Sequence, residues 1–86
     1  MEFDEPTKEL IALGASVTAN CHPCVQYHLK KAREVGLNEQ QIKDAIEVGK
    51  MVRKGAASKM DQLVSTLTSS PDAVTGTSED GCGCHA

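Results

Sequence analysis

Residues 20–42 read NCHPCVQYHLKKAREVGLNEQQI and contain the signals that start and stop one short helix. Asn20 is expected to cap its N-terminus, and Pro23 falls in its first turn, where the missing N–H costs little. The helix is expected to run to about Val35, because Gly36 fits the left-handed position that follows a helix C-terminus. This stretch therefore predicts a helix bounded by turns on both sides.

Further helices are predicted before and after it. The first is expected to begin with Asp4 as N-cap and to run to about Ala19. The third is expected to begin at a capping box formed by Asn38 and Gln41. Apolar residues and glycines recur at helical spacing in both helices. In the first helix they are Leu10, Leu13, Gly14 and Val17. In the third helix they are Ile42, Ile46, Gly49, Val52, Ala56, Met60, Leu63 and Leu67. No strand pattern competes, so we predict an all-α fold with a helix hairpin and a long third helix.

The third helix is expected to cover almost thirty residues, on the order of 40 Å at 1.5 Å per residue, which exceeds the width of a small domain. Part of it is therefore expected to overhang its own subunit and to offer an apolar stripe to another copy. Gly49 and Gly55 each cost roughly 1 kcal/mol relative to Ala inside a helix. They predict either a close approach of another helix or a break near residue 55.

The composition divides the chain of 86 residues into a body and a tail. Residues 1–67 hold all nine bases and nine of the twelve acids, so the body is neutral. Residues 68–86 contain no base and are rich in Ser, Thr, Gly and Asp, which is typical of a solvated segment. We expect one helical domain over 1–67 and a flexible acidic tail over 68–86. So small a core rarely supplies more than roughly 3–5 kcal/mol, which predicts stabilisation by oligomerisation.

The composition also disfavours several functional classes. Scattered lysines and arginines in a neutral body give a weak case for nucleic-acid binding, and no stretch approaches the roughly eighteen apolar residues of a membrane span. The start, MEFDE, is acidic where a signal peptide is basic, and no apolar segment follows it. We therefore expect a cytoplasmic protein that binds neither nucleic acid nor membrane. In the cytoplasm, paired cysteines are more often catalytic or metal-binding than structural.

Cys21 and Cys24 form a C-x-x-C motif at the start of the second predicted helix. Their sulfurs are expected about one turn apart, close enough for a disulfide, and the helix dipole favours thiolate. Alone, the motif fits a redox pair or half of a zinc site. His28 follows Cys24 by four residues on the same face, where an imidazole can exchange a proton with the thiol.

A carboxylate completes this group if the first two helices form an antiparallel hairpin that turns near Ala19. Glu9 lies ten residues before that turn and His28 nine after it, so the two are expected to face each other. A carboxylate that orients a base beside a thiol is the arrangement that activates a weak nucleophile. The simpler alternatives are a core histidine and a first-turn glutamate favoured by the helix dipole.

The combined pattern is more specific than C-x-x-C alone. Its parts are E-x11-C-x2-C-x3-H from Glu9 to His28, then Ala32, Gly36-Leu37-Asn38 and the segment from Gln40 to Ile46. Over about residues 5–65 this pattern resembles the alkyl hydroperoxidase D-like branch of the carboxymuconolactone decarboxylase superfamily. The resemblance implies an all-helical domain that assembles into trimers or hexamers. It also implies hydroperoxide reduction through a carboxylate–histidine–cysteine relay, with no added cofactor and with a lipoyl or thioredoxin-like protein as dithiol reductant.

Within the implied mechanism, Cys24 is expected to be the peroxidatic cysteine, because it lies one helical turn from His28 and Cys21 lies nearly two. Cys24 would attack the peroxide, become a sulfenic acid and condense with Cys21 to a disulfide. Glu9 would orient and polarise His28. The helix dipole alone favours the opposite order, because Cys21 is nearer the helix start.

The resemblance leaves Cys82, Cys84 and His85, near the end of the chain, unexplained. Three interpretations stand side by side: an idle solvated end, a dithiol that reduces the disulfide of the second helix, or ligands for a soft metal or metalloid. A cysteine-rich metal- or metalloid-binding protein on the same scaffold is therefore the main alternative to a peroxidase. A disulfide reductase and a non-catalytic assembly protein are further alternatives.

Overall fold

A computed structural model describes residues 1–69, and within that range the chain forms helices and turns but no strand. α1 spans Glu5–Thr18, α2 spans His22–Glu34 and α3 spans Glu39–Thr68. The predicted all-α fold is confirmed, including a long third helix, which has 30 residues. The chain divides into two units, the first Met1–Lys50 and the second beginning at Met51, of which residues 51–69 are described. Most of the predicted tail, residues 70–86, lies outside the described residues.

α1 begins at the predicted cap. A carboxylate oxygen of Asp4 accepts a hydrogen bond of 2.9 Å from the backbone N–H of Thr7, and Pro6 occupies the first turn. This hydrogen bond holds the pKa of the Asp4 carboxyl below its ordinary value. A cap of this kind satisfies one of the backbone N–H groups that a helix N-terminus leaves unpaired.

The turn between α1 and α2 corrects one prediction. Asn20 does not cap α2: its backbone is left-handed, with φ of 56°. Cys21 is the N-cap residue instead, and its backbone N–H donates to the carbonyl oxygen of Ser16 over 3.1 Å. The prediction is wrong because asparagine favours both helix caps and left-handed turns. Here the chain uses the second preference to reverse direction.

The turn between α2 and α3 follows the sequence signals. Gly36 has φ of 94°, which is the conformation expected at this position. Asn38 and Gln41 form the predicted capping box, with Asn38 Oδ1 accepting from the Gln41 N–H at 2.8 Å and Gln41 Oε1 accepting from the Asn38 N–H at 3.0 Å. Arg33 and Glu39 pair across the turn at 3.0 Å, and the guanidinium lowers the pKa of the Glu39 carboxyl.

The core of the first unit is built by all three helices and the second turn. Its buried apolar cluster consists of Leu13, Ala32, Leu37 and Ile42, with Leu10, Val25, Leu29, Val35, Ala45 and Ile46 packed around it. α3 approaches α1 closely at Gly49, where Thr18 Oγ1 donates to the Gly49 carbonyl oxygen at 2.9 Å. The close approach predicted from the glycines is therefore confirmed at Gly49. The predicted break near residue 55 is absent, because α3 continues to Thr68.

In the second unit, the described part of α3 exposes apolar side chains along its length. Val52, Met60, Leu63, Val64 and Leu67 are each between 47% and 72% exposed. Four of these five positions belong to the stripe predicted from the sequence, and a second copy as their partner stays a prediction. No helix within residues 1–69 combines the length and the apolar character needed to cross a membrane.

Candidate active site

The four predicted site residues lie where α1 and α2 pack against each other. Glu9 belongs to α1, Cys21 caps α2, and Cys24 and His28 lie one turn apart on α2. Two of these residues are joined by a disulfide and the other two by a hydrogen bond. The hairpin therefore brings the predicted residues together as two adjacent pairs, whereas their catalytic roles stay a prediction.

The first pair is Glu9 and His28. Glu9 Oε1 lies 2.8 Å from His28 Nδ1, so the predicted contact across the hairpin is confirmed. The Glu9 side chain is only 5% exposed, and that of His28 is 26% exposed. Because Nδ1 faces the carboxylate, the other ring nitrogen, Nε2, remains for exchange with a thiol or a substrate. His28 is thus neither a fully buried core histidine nor a solvated one.

The second pair is Cys21 and Cys24, which form a disulfide with their Cα atoms 5.2 Å apart. Both residues are partly exposed, so an external thiol or oxidant has access to them. Cys21 is the N-cap and Cys24 belongs to the first turn of α2. Helix N-termini favour thiolate over thiol, so the reduced pair would occupy a position that activates sulfur as a nucleophile.

The alternative of a zinc half-site at Cys21 and Cys24 stays a prediction. Within residues 1–69, no group of three or more His, Cys, Asp or Glu side chains is arranged to hold a metal ion. The predicted tail ligands Cys82, Cys84 and His85 lie outside the described residues. A soft metal, a metalloid or an exchange dithiol at the tail therefore stays a prediction.

Sequence reasoning missed Tyr27. Its ring meets the His28 imidazole edge-on, with the ring centroids 5.0 Å apart and the planes at 84°. The spacing of residues gives no signal for this contact, because neighbours in sequence point in different directions on a helix. One sequence feature would have pointed to this contact: a single tyrosine, in a polar stretch, stands next to a candidate base.

Comparisons with known proteins agree with the pattern of residues. The sequence model that describes the carboxymuconolactone decarboxylase family matches residues 2–61 of this chain. That span contains Glu9, Cys21, Cys24 and His28. A curated relative from Paracoccus denitrificans, "Uncharacterized protein 4 in cox locus", is 41% identical over 55 residues, which cover 64% of this chain and 50% of the relative. The match thus spans about half the length of that relative. No solved structure matches the chain significantly.

Proposed function

This chain belongs to the carboxymuconolactone decarboxylase family, and on that premise we propose that it is a thiol-dependent enzyme that reduces hydroperoxides. Family membership together with a C-x-x-C pair at disulfide distance fits a redox role. One observation carries the finer proposal. Cys24 of this pair lies one turn from His28, whose Nδ1 is hydrogen-bonded to the buried carboxylate of Glu9. A structural disulfide has no need of such a base.

In the proposed first step, the Cys24 thiolate attacks one oxygen of the peroxide bond. The O–O bond breaks, Cys24 becomes a sulfenic acid, and the leaving alkoxide takes a proton and departs as an alcohol. His28 accepts the proton of the Cys24 thiol and returns it to the leaving group. Glu9 holds the His28 ring by Nδ1, so that Nε2 performs this exchange.

In the second step, the Cys21 thiol attacks the sulfur of the Cys24 sulfenic acid. The Cys21–Cys24 disulfide forms and water leaves. An external dithiol, a thioredoxin-like or lipoyl protein, then reduces the disulfide through a mixed-disulfide intermediate. The sum of the steps converts a hydroperoxide and a dithiol into an alcohol, water and a disulfide, with no added cofactor.

We also propose that the enzyme works as a homo-oligomer, a trimer or a hexamer. The first unit buries few large side chains, among which only Leu13 and Ile42 are almost completely inaccessible. The second unit exposes a run of apolar side chains on α3, from Val52 to Leu67. Oligomerisation would cover such side chains and supply stability that a small core lacks. A well-folded monomer at micromolar concentration in sedimentation experiments would contradict this.

The proposed reaction is tested by counting thiols. The variant Cys82→Ser/Cys84→Ser leaves Cys21 and Cys24 as the only thiols in the full chain. One equivalent of an alkyl hydroperoxide should consume both of them, and adding Cys24→Ser should abolish the fast loss. Reduced protein that keeps both thiols through several equivalents of peroxide would overturn the peroxidase. Fast loss of the same thiols to a disulfide substrate would then assign the pair to the disulfide reductase alternative.

The order of the cysteines has its own test. In Cys21→Ser, made together with Cys82→Ser/Cys84→Ser, the sulfenic acid on Cys24 has no resolving thiol in the chain, so a sulfenic-acid reagent should trap it. In Cys24→Ser the same reagent should give no adduct. An adduct in Cys24→Ser alone would reverse the order and make Cys21 the attacking cysteine.

A further inference from the structure

Tyr27 contacts the candidate base in a way that helix geometry does not provide by itself. Successive side chains of a helix diverge by about 100°, so residues 27 and 28 have no default contact. Yet the two rings meet edge-on, with centroids 5.0 Å apart and planes at 84°. The contact therefore depends on the rotamers of these two side chains.

Packing of the core does not explain this conformation. Tyr27 is 61% exposed and lies outside the buried cluster around Leu13. A tyrosine on a solvated helix face has many open rotamers, and restricting it to one costs conformational entropy. The contact with His28 is an attraction that favours this rotamer, because edge-on aromatic pairs gain free energy beyond the area they bury.

The orientation of the His28 ring is only partly fixed by its own hydrogen bond. Its hydrogen bond to Glu9 fixes Nδ1 but leaves the ring able to tilt about that nitrogen, and the side chain is 26% exposed. A second contact from another direction limits such tilting. Catalytic bases are effective only when their rings are held in a productive orientation.

We propose that Tyr27 is a positioning residue that acts through His28. The Glu9 hydrogen bond selects the tautomer with Nδ1 on the carboxylate, and the Tyr27 ring, edge-on to the imidazole, holds the ring orientation that leaves Nε2 free for the proton of Cys24. The effect depends on the aromatic ring and not on the phenol hydroxyl. The effect of Tyr27 on catalysis rests on the proposed function. Its effect on the orientation of the His28 ring does not depend on that function.

The test compares Tyr27→Ala with Tyr27→Phe in the full chain. Ile11→Ala is the matched control, because Ile11 is 51% exposed on α1 and the substitution also removes an exposed apolar side chain. The first measurement is the NMR order parameter of the His28 ring C–H bonds, which reports how much the ring moves. Tyr27→Ala should lower this order parameter, because the Glu9 hydrogen bond alone leaves the ring able to tilt. Tyr27→Phe and Ile11→Ala should keep the wild-type value.

The second measurement is the rate at which reduced protein reacts with an alkyl hydroperoxide. Tyr27→Ala should react about three to ten times more slowly, as expected for the loss of one aromatic pair, and Tyr27→Phe should restore the rate. A wild-type order parameter of the His28 ring in Tyr27→Ala, or a reaction rate in Tyr27→Phe as low as that in Tyr27→Ala, would overturn the proposal. If the wild type itself does not react with peroxide, the proposed function fails while the NMR comparison still decides the role of Tyr27.

Discussion

Replacing Gly49 by alanine should destabilise the protein although alanine is the better helix former. Gly49 lies inside α3, against α1. A Cβ at this position would collide with the carbonyl oxygen of Gly14 and would lie 3.0 Å from Val17 Cβ. Because these neighbours are backbone and Cβ atoms, no flexible side chain can move aside, and the two helices must separate.

The magnitude follows from three contributions. Overpacking of this kind costs about 1–3 kcal/mol. Separation of the helices also threatens the 2.9 Å hydrogen bond from Thr18 Oγ1 to the Gly49 carbonyl oxygen, which is worth about 1 kcal/mol. The higher helix propensity of alanine offsets about 1 kcal/mol of this loss in stability. We therefore expect Gly49→Ala to lower the free energy of unfolding by about 1–3 kcal/mol.

Urea denaturation followed by circular dichroism measures this difference, at one fixed protein concentration so that any assembly contributes equally. Gly14→Ala is the matched control on the facing helix. Its Cβ would lie 3.1 Å from the Ala45 carbonyl oxygen, a milder contact, so the gain in helix propensity should largely offset the strain. If Gly49→Ala were as stable as the wild type, the close approach of α1 and α3 would be refuted.

Three further predictions concern single residues of the described fold. Leu13 is fully buried, so Leu13→Ala should lower the free energy of unfolding in urea by about 2–5 kcal/mol. Asn38→Ala removes the side-chain cap on the Gln41 N–H and should cost about 1 kcal/mol, seen as a lower thermal midpoint; an unchanged midpoint would show that the cap contributes nothing. The lowered pKa of Asp4 means that its cap stabilises the fold above the ordinary value of 3.8 and that this contribution is lost as the pH falls through the folded-state pKa. Asp4→Asn keeps an acceptor for the Thr7 N–H without a charge, so its thermal midpoint should fall less than that of the wild type between about pH 6 and pH 3.

Helix boundaries were predictable where one local signal has one structural meaning. Gly36 can adopt a positive φ at little cost, and the Asn38–Gln41 pair bonds within a single helical turn. Asn20 has two local meanings, and the choice between them depends on the bond from the Cys21 N–H to Ser16. That bond and the bond from the Asn20 N–H to the Val17 carbonyl oxygen are the two hydrogen bonds that accompany a left-handed residue at the end of a helix. Residue preference alone does not choose between this cap of α1 and an N-cap of α2, because asparagine favours both.

The candidate site likewise contains one contact that the sequence predicts and one that it does not. The contact between Glu9 and His28 follows from counting residues on either side of one turn, because both helices are regular. The contact between Tyr27 and His28 depends on a rotamer of an exposed side chain, which periodicity does not encode. Gly55 is a third case. Its low helix propensity predicted a break as one alternative, but α3 continues through this position.

Two polar contacts accompany the hairpin: one joins its two helices, and the other closes its turn. Glu9 on α1 meets His28 on α2, and the Ser16 carbonyl oxygen on α1 accepts the N–H of Cys21 at the start of α2. The members of each helix are seven residues apart, about two turns, so one antiparallel register satisfies both contacts. A slip of one residue would break the contact between Glu9 and His28 and would leave the buried Glu9 carboxylate without its imidazole, which is costly in a low-dielectric interior. An apolar residue at position 9 would avoid that cost and fill the same space. The glutamate therefore contributes a hydrogen bond to His28 rather than apolar packing. The register of the hairpin sets this contact between the two helices, whereas the spacing of His28 and Cys24 follows from α2 alone.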